Sequence, residues 1–405
     1  MLRSFCVMFH RWVGLTMAGF LVVVGLTGSL LAFLPELDRV VAPQLFPGPH
    51  GPELDPATLL RRAEAVAPDM RATTVFLGYR GTAQVGVTPR PGVQPPDYDQ
   101  IYLDSVTGAE LGHVKRSLMP ANAGEIMPFI YRLHYALALG EIGEWILGLV
   151  ALAWTLDCFA AFYLTLPAST ARDGFLAKWK PSWSVKWRSS FYRVNFDLHR
   201  AGGLWLWGVL LIFAWSSVFM DLNGFYTATL RLLCDYRPPV WATPTTPPAN
   251  GREPLEWEPA QAIARRLMAE KASEQGFVVD NVQAFYLTAD KGLFEYRVHS
   301  SRDIGDKYGA TTLYFDAFTG AFARIDLPTG QSAGATVTTW LVELHMANLF
   351  GLPYKIFVAI LGFVIVMLSA TGIYIWWKKR AARSKRREAA DAPHRDAALP
   401  VSGNG

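Results

Sequence analysis

Four histidines stand out by type and spacing. His10 and His199 each lead an arginine and then a glycine–leucine pair: His10-Arg11-Trp-Val-Gly14-Leu15 and His199-Arg200-Ala-Gly-Gly203-Leu204. Each of these stretches opens an apolar run. His134 and His345 each follow a leucine and precede a glycine by six residues, Gly140 and Gly351. Imidazole suits iron, zinc and copper, and an ionisable group at the same depth of two membrane helices needs a reason, because burying it there is costly.

The elements that must position these rings are apolar helices. Of the 405 residues 51% are hydrophobic and only 18% charged, with 14 tryptophans, a balance that points to a membrane protein. Four runs, at 12–34, 143–166, 203–222 and 354–377, meet the length needed to cross roughly 30 Å of hydrocarbon. In lipid the backbone must satisfy its own hydrogen bonds, so all four are expected to be α-helices. The first run is too long for a signal-peptide core and no small-x-small cleavage site follows it, so it is expected to be an anchor. Lys and Arg gather in three places: around the first run (Arg3, Arg11), between the second and third runs (Arg172, Lys178, Lys180, Lys186, Arg188, Arg193, Arg200) and in the tail from Lys378. The positive-inside rule puts all three in the cytoplasm, with both termini inside and two long segments outside. This asymmetry accounts for the net charge of +4, and nothing suggests nucleic acid as a partner; the lipid bilayer is the expected one. Cys6, Cys158 and Cys234 form no disulfide framework, and no C-x-x-C-H haem-attachment motif is present.

The outer segments repeat one plan. After the linker PQLFPGPHGPELDP, residues 56–67 form an amphipathic helix with Pro56 at its start. Residues 74–89 and 100–103 alternate like strands. The second segment has its helix at 259–272 and strands at 282–287 and 294–299. Tyr102-Leu-Asp-Ser-Val-Thr-Gly108 and Tyr314-Phe-Asp-Ala-Phe-Thr-Gly320 are matching turns, Gly320 lying 212 residues after Gly108. His345 lies 211 residues after His134. The chain is thus expected to be a membrane α-helical protein of four transmembrane helices with an internal two-fold repeat, carrying two small α+β outer domains. Its segments are a helix at 1–34, an outer domain at 35–127, an outer-side helix with the second span at 128–166, a basic loop at 167–198, the third span at 199–222, an outer domain at 223–340, an outer-side helix with the fourth span at 341–377, and a basic, disordered tail at 378–405. Parallel repeats sit around a pseudo-twofold axis along the membrane normal. His10 is therefore expected to face His199 near the cytoplasmic surface, and His134 to face His345 near the outer one.

Bundle interiors hold metals and cofactors on facing helices. Two histidines are too few for a closed zinc site, which takes four ligands, and no cysteine or carboxylate set completes either pair. Haem iron takes axial histidine and its porphyrin supplies the other four donors, so two bis-histidine haem b groups are the economical reading. Gly14, Gly25, Gly202, Gly203 and Gly208 let a flat ring approach the helices. Arg11 and Arg200 can pair its propionates, against the plainer role of snorkelling to the interface. Trp205, Trp207 and Trp215 are expected to pack or anchor rather than relay electrons. Asp157, inside the second run, needs a partner, as a proton relay or as a paired structural acid. His50, His113, His299 and His394 are assigned no ligand role, and Met8, Met127 and Met346 are expected to pack. His134 and His345 precede their apolar runs by about nine residues, roughly 13 Å if the helix is continuous, which would lift the outer site to the headgroups.

The motif His10-Arg11-x-x-Gly14, the two Asp-x-x-Thr-Gly turns, Leu133-His134 and Leu344-His345, and Thr371-Gly-Ile-Tyr-Ile-Trp376 together resemble the PepSY-associated transmembrane family over nearly the whole chain. The resemblance implies that the outer domains are PepSY-like and periplasmic, in a multi-pass protein of the bacterial inner membrane. Members of this size resemble ferric-siderophore reductases, which implies an oxidoreductase passing electrons through haem to Fe(III)–siderophore outside. No G-x-G-x-x-G or P-loop is present, so the electron donor is expected to be a cytoplasmic protein or a quinol. From position alone Tyr131, Arg132, Tyr354 and Lys355 are candidates to contact the siderophore. Two other readings stand beside this one: a haem conduit to another periplasmic or quinone acceptor, and a non-enzymatic protein whose PepSY-like domains restrain a periplasmic peptidase.

Overall fold

The computed structural model describes residues 1–116, 119–168, 174–243 and 253–391. Along the chain the helices are α1 (Leu2–Leu31), α2 (Leu34–Val41), α3 (Pro56–Val66), α4 (Ile126–Ala136), α5 (Glu141–Thr165), α6 (Phe175–Trp179), α7 (Phe191–Trp205), α8 (Trp207–Asp221), α9 (Asn223–Arg231), α10 (Trp257–Gln275), α11 (Ala333–His345) and α12 (Gly351–Asp391). Strands β1 (Met70–Tyr79), β2 (Thr82–Pro89), β3 (Gln100–Asp104) and β4 (Glu110–Val114) fall between α3 and α4. Strands β5 (Val279–Thr288), β6 (Leu293–Ser300), β7 (Thr311–Asp316) and β8 (Phe322–Asp326) fall between α10 and α11. The chain divides into two compact units, one of residues 1–26, 152–211 and 361–405, the other of residues 27–151 and 212–360.

Among the described residues three helices are long and apolar enough to cross a membrane, α1, α5 and α12, and a fourth span exists if α7 and α8 count as one. The expected continuous third helix is broken at Leu206, and α7 and α8 meet at 68°. The bend has its own hydrogen bonds: Trp205 donates its indole N–H to Trp183 O at 3.0 Å, and Trp207 donates to Cys158 O at 2.8 Å. Pro35 stands in the first turn of α2, where its missing N–H costs nothing. The tail expected to be disordered from residue 378 continues α12 as far as Asp391. Arg172 and His394 lie outside the described residues.

The two outer segments do not make separate sheets. Their strands join in one eight-stranded antiparallel sheet, ordered β4-β3-β2-β1-β5-β6-β7-β8. The seam is β1 against β5, with Thr74 opposite Tyr286, Val75 opposite Phe285 and Phe76 opposite Ala284. Pairing these two strands covers one edge of each half and leaves β4 and β8 at the ends of the sheet. One apolar core runs under both halves, from Leu59, Leu60, Val75 and Ile101 to Phe285, Phe294, Leu313 and Phe315. Helices α3 and α10 lie against it and are tied together, because Gln261 of α10 accepts from Ala57 N at 2.8 Å and donates to Asp55 at 2.9 Å. Asp55 is also the cap of α3, accepting from Thr58 N, with Pro56 at the first helical position.

The two matching turns are built alike. Asp104 Oδ1 accepts from the backbone N–H of Val106 and Thr107, and Asp316 Oδ1 from Phe318 and Thr319. Gly108 and Gly320 then take φ of 74° and 72°, a conformation that a side chain rarely adopts.

Candidate functional site

In the first unit the rings of His10, on α1, and His199, on α7, lie 5.9 Å apart between centroids, tilted by 49°. His10 Nδ1 is 2.9 and 3.0 Å from the two carboxylate oxygens of Asp157, on α5. Asp157 is only 3% exposed. A carboxylate accepts only, so Nδ1 carries the proton and Nε2 keeps the lone pair. His199 reaches the same tautomer differently. Its Nδ1 lies 3.0 Å from Leu368 O and 3.1 Å from Thr371 Oγ1, both on α12. Thr371 gives its own proton to Met367 O at 2.7 Å, which leaves its oxygen as an acceptor.

In the second unit His134, ending α4, and His345, ending α11, have centroids 6.2 Å apart at 72°. His134 Nδ1 is 3.0 Å from Thr27 Oγ1, and His345 Nδ1 is 2.7 Å from Ser216 Oγ. Ser216 donates to Phe213 O, so it accepts from His345, and the Phe213 ring stacks on the imidazole at 4.7 Å. The expectation that this pair stands a long way above its apolar runs rested on continuous helices. They are not continuous. α4 stops at Ala136 and α11 at His345, and the connections carry residues of positive φ: Leu137, Ala138 and Gly140 in one, Ala347, Phe350 and Gly351 in the other. The short helices fold back instead, which brings His134 against Thr27 and Gly28 of the long α1.

Two further glycines, Gly28 and Gly372, make this close approach possible. A Cβ on Gly28 would stand 3.0 Å from His134 Cε1, and one on Gly372 would stand 3.1 Å from His199 Cε1. Of the glycines expected to make room, Gly14 and Gly203 line the cavity beside the first pair, while Gly25 instead lets α1 approach the backbone of α12 at Gly362.

That cavity has a volume of about 430 Å³, within the range of ordinary ligand pockets. Its wall includes His10, His199, Asp157, Arg11 and Arg200 over a mostly apolar lining. Arg200 is already committed. It donates to Pro181 O and to the fully buried Asp197 at 2.9 Å, where Arg193 also binds. Its role is therefore to neutralise Asp197 and brace α7. Arg11 and Lys379 are better placed for an anionic ligand, because both also line a neighbouring groove of about 410 Å³ with Arg380, Arg383 and Arg387.

Around the second pair, Tyr131 is 44% exposed on α4 and packs on Tyr135 at 5.0 Å, with Arg132 next to it in sequence. Tyr354 is spent on α11, donating to Leu344 O at 2.9 Å. Lys355 is buried and ion-paired with Glu36, so it offers no charge to solvent. The remaining described histidines are engaged locally: His50 with Asp104, His113 with Tyr98 and Glu110, His299 with Asp280.

No group of three or more His, Cys, Asp or Glu among the described residues can hold a metal. Each pair therefore offers two nitrogens and no third donor of those types. Two imidazoles on opposite sides of one metal, with bonds of about 2.0–2.1 Å and about 1.1 Å from nitrogen to ring centre, would have centroids about 6.3 Å apart. Both pairs lie close to that spacing.

Membrane-length helices beside a large antiparallel sheet define the chain as a membrane protein. The family model described as "PepSY-associated TM region" matches residues 7–379, and the chain belongs to that family. No curated protein matches it.

Proposed function

We propose that the chain is a haem-carrying oxidoreductase of the bacterial inner membrane, passing electrons outward to an Fe(III)–siderophore. α1, α5, the bent α7–α8 and α12 are its four spans, arranged as two copies of one unit. The basic segments and both termini face the cytoplasm, and the sheet faces the periplasm. The observation that carries this reading is the imidazole geometry: two pairs at metal-bridging spacing, each ring with Nδ1 hydrogen-bonded to an oxygen. Metal-bound histidine characteristically gives its second nitrogen to such a partner, which holds the ring in place.

When bound, haem would supply one-electron transfer. The residues of the chain do the rest. His10 and His199 would hold one group, His134 and His345 the other. Gly14 and Gly203 leave space beside the first pair, and Arg11 with Lys379 meets carboxylates at its basic edge. The apolar wall excludes water. A quinol donor would release two electrons and two protons and so reduce two Fe(III) to Fe(II); a protein donor would pass electrons singly. Reduction weakens the grip of hard oxygen donors on iron, and the metal leaves its chelator.

The test is a spectrum of the purified chain with and without dithionite, followed by oxidant. A reduced haem band that Fe(III)–hydroxamate reoxidises is the expected result. Reoxidation by a quinone or a cytochrome but not by the ferric chelate would make the chain an electron conduit to another acceptor. A colourless preparation would leave the peptidase-restraining role as the better reading.

A further inference from the structure

The two pairs differ in what holds their outer nitrogens. In the second pair the oxygens beside Nδ1 belong to hydroxyls, Thr27 and Ser216, and Ser216 accepts, its own proton going to Phe213 O. In the first pair His199 has a carbonyl and a hydroxyl, but His10 has a carboxylate, contacted at both oxygens. Asp157 is 3% exposed, and among the described residues no lysine or arginine forms an ion pair with it. A buried acid within a membrane span, with an imidazole as its one ionic partner, is a functional feature until shown otherwise.

A carboxylate is a far stronger acceptor than a hydroxyl, and the charge-assisted bond is roughly twice as strong as a neutral one. It draws the Nδ1 proton toward itself and makes Nε2 a better electron donor. A more basic axial ligand and a buried negative charge both favour ferric over ferrous iron, which lowers a reduction potential. Hydroxyl acceptors supply neither effect.

We propose that Asp157 is a positioning residue which, by holding the Nδ1 proton of His10, makes the first site the lower-potential of the two and so gives electron flow its direction, from the His10–His199 pair to the His134–His345 pair. This rests on the haem reading above. The charge is placed where the electron enters.

The experiment is an anaerobic potentiometric titration of the full-length, haem-loaded chain, followed by absorbance. The wild type is expected to reduce in two one-electron steps. Asp157→Asn should raise the equilibrium constant of the lower step at least tenfold, a shift of 59 mV for one electron, and leave the upper step in place. Asp157→Glu should restore it. Removing a hydroxyl acceptor with Ser216→Ala should move the upper step by less than tenfold. Should Asp157→Asn lose the first haem, single-site preparations decide: His345→Ala leaves the first site alone and His199→Ala the second, and the first must have the lower potential. Equal or reversed potentials, or an Asp157→Asn protein with both haems and unmoved steps, overturn the inference while leaving the haem reading intact. A wild type without haem removes both.

Discussion

The two histidine pairs reach nearly the same spacing, 5.9 and 6.2 Å, by different construction. The first takes its rings from a membrane-length helix, α1, and from α7, which is bent away from its continuation by 68°. The second takes its rings from the last turns of short helices, α4 and α11, turned back by residues in the left-handed region. In one case the helix itself carries the ring into place; in the other the chain must break to deliver it. The spacing is thus a property of the site, and the route to it is a property of local backbone chemistry.

Removing ligands tests whether the pairs are equivalent. Substituting alanine at His10 or His199 should cost one of two haem equivalents, and at His134 or His345 the other, read as haem per protein from pigment extraction. Full retention in all four variants would end the ligand assignment.

The glycines test whether packing or ligation holds the rings. Gly372→Leu and Gly28→Leu drive a side chain into His199 and His134 respectively, where even a Cβ stands at 3.1 and 3.0 Å. Each should lose most of the haem at its own site and little at the other. Equal loss at both sites would mean that the substitution unfolds the chain rather than displacing one ring.

Acidity should distinguish the regions as well. Burial pushes the Asp38 carboxyl up to about 6, against the opposing effects of the Tyr79 hydroxyl, which donates to it at 2.8 Å, and of Arg39. Tyr79, Tyr102 and Tyr308 crowd the same pocket, and burial raises all three phenols. A carboxyl whose folded pKa lies above its unfolded value stabilises the fold below about 4, and that contribution is lost as pH rises through about 6. Asp38→Asn should therefore raise stability at pH 7.5 by about 2–3 kcal/mol and change it little at pH 4. Thermal unfolding in detergent at the two pH values checks this, with the absorbance of the first site expected to be unchanged.

The smallest effect is expected at the left-handed residues. Ala347→Gly, at φ 53°, should relieve about 1 kcal/mol of backbone strain and raise the melting temperature by a few degrees. A loss of stability would show that the Ala347 methyl, 1% exposed, contributes more by packing than the turn costs.

Much of this architecture was legible in the chain. Long apolar runs declare helices because lipid offers the backbone no other partner, and α1, α5 and α12 lie where composition put them. The Asp-x-x-Thr-Gly turns were legible because one carboxylate and one glycine suffice to build each locally. Pairing His10 with His199 and His134 with His345 followed from matching motifs around each ring.

What could not be read was whatever depends on contacts across the fold. That β1 meets β5 and fuses two segments into one sheet follows from edges seeking partners, and no local pattern announces which edges will meet. That Arg200 and Lys355 are consumed by Asp197 and Glu36 follows from burial, since a charge removed from water must find its counter-charge. Residue type and flanking motif determined which imidazoles would come together in pairs. Only the packed helices decided that a carboxylate would stand behind one ring and a hydroxyl behind another, because a hydrogen bond depends on where atoms lie in space and not on their distance along the chain.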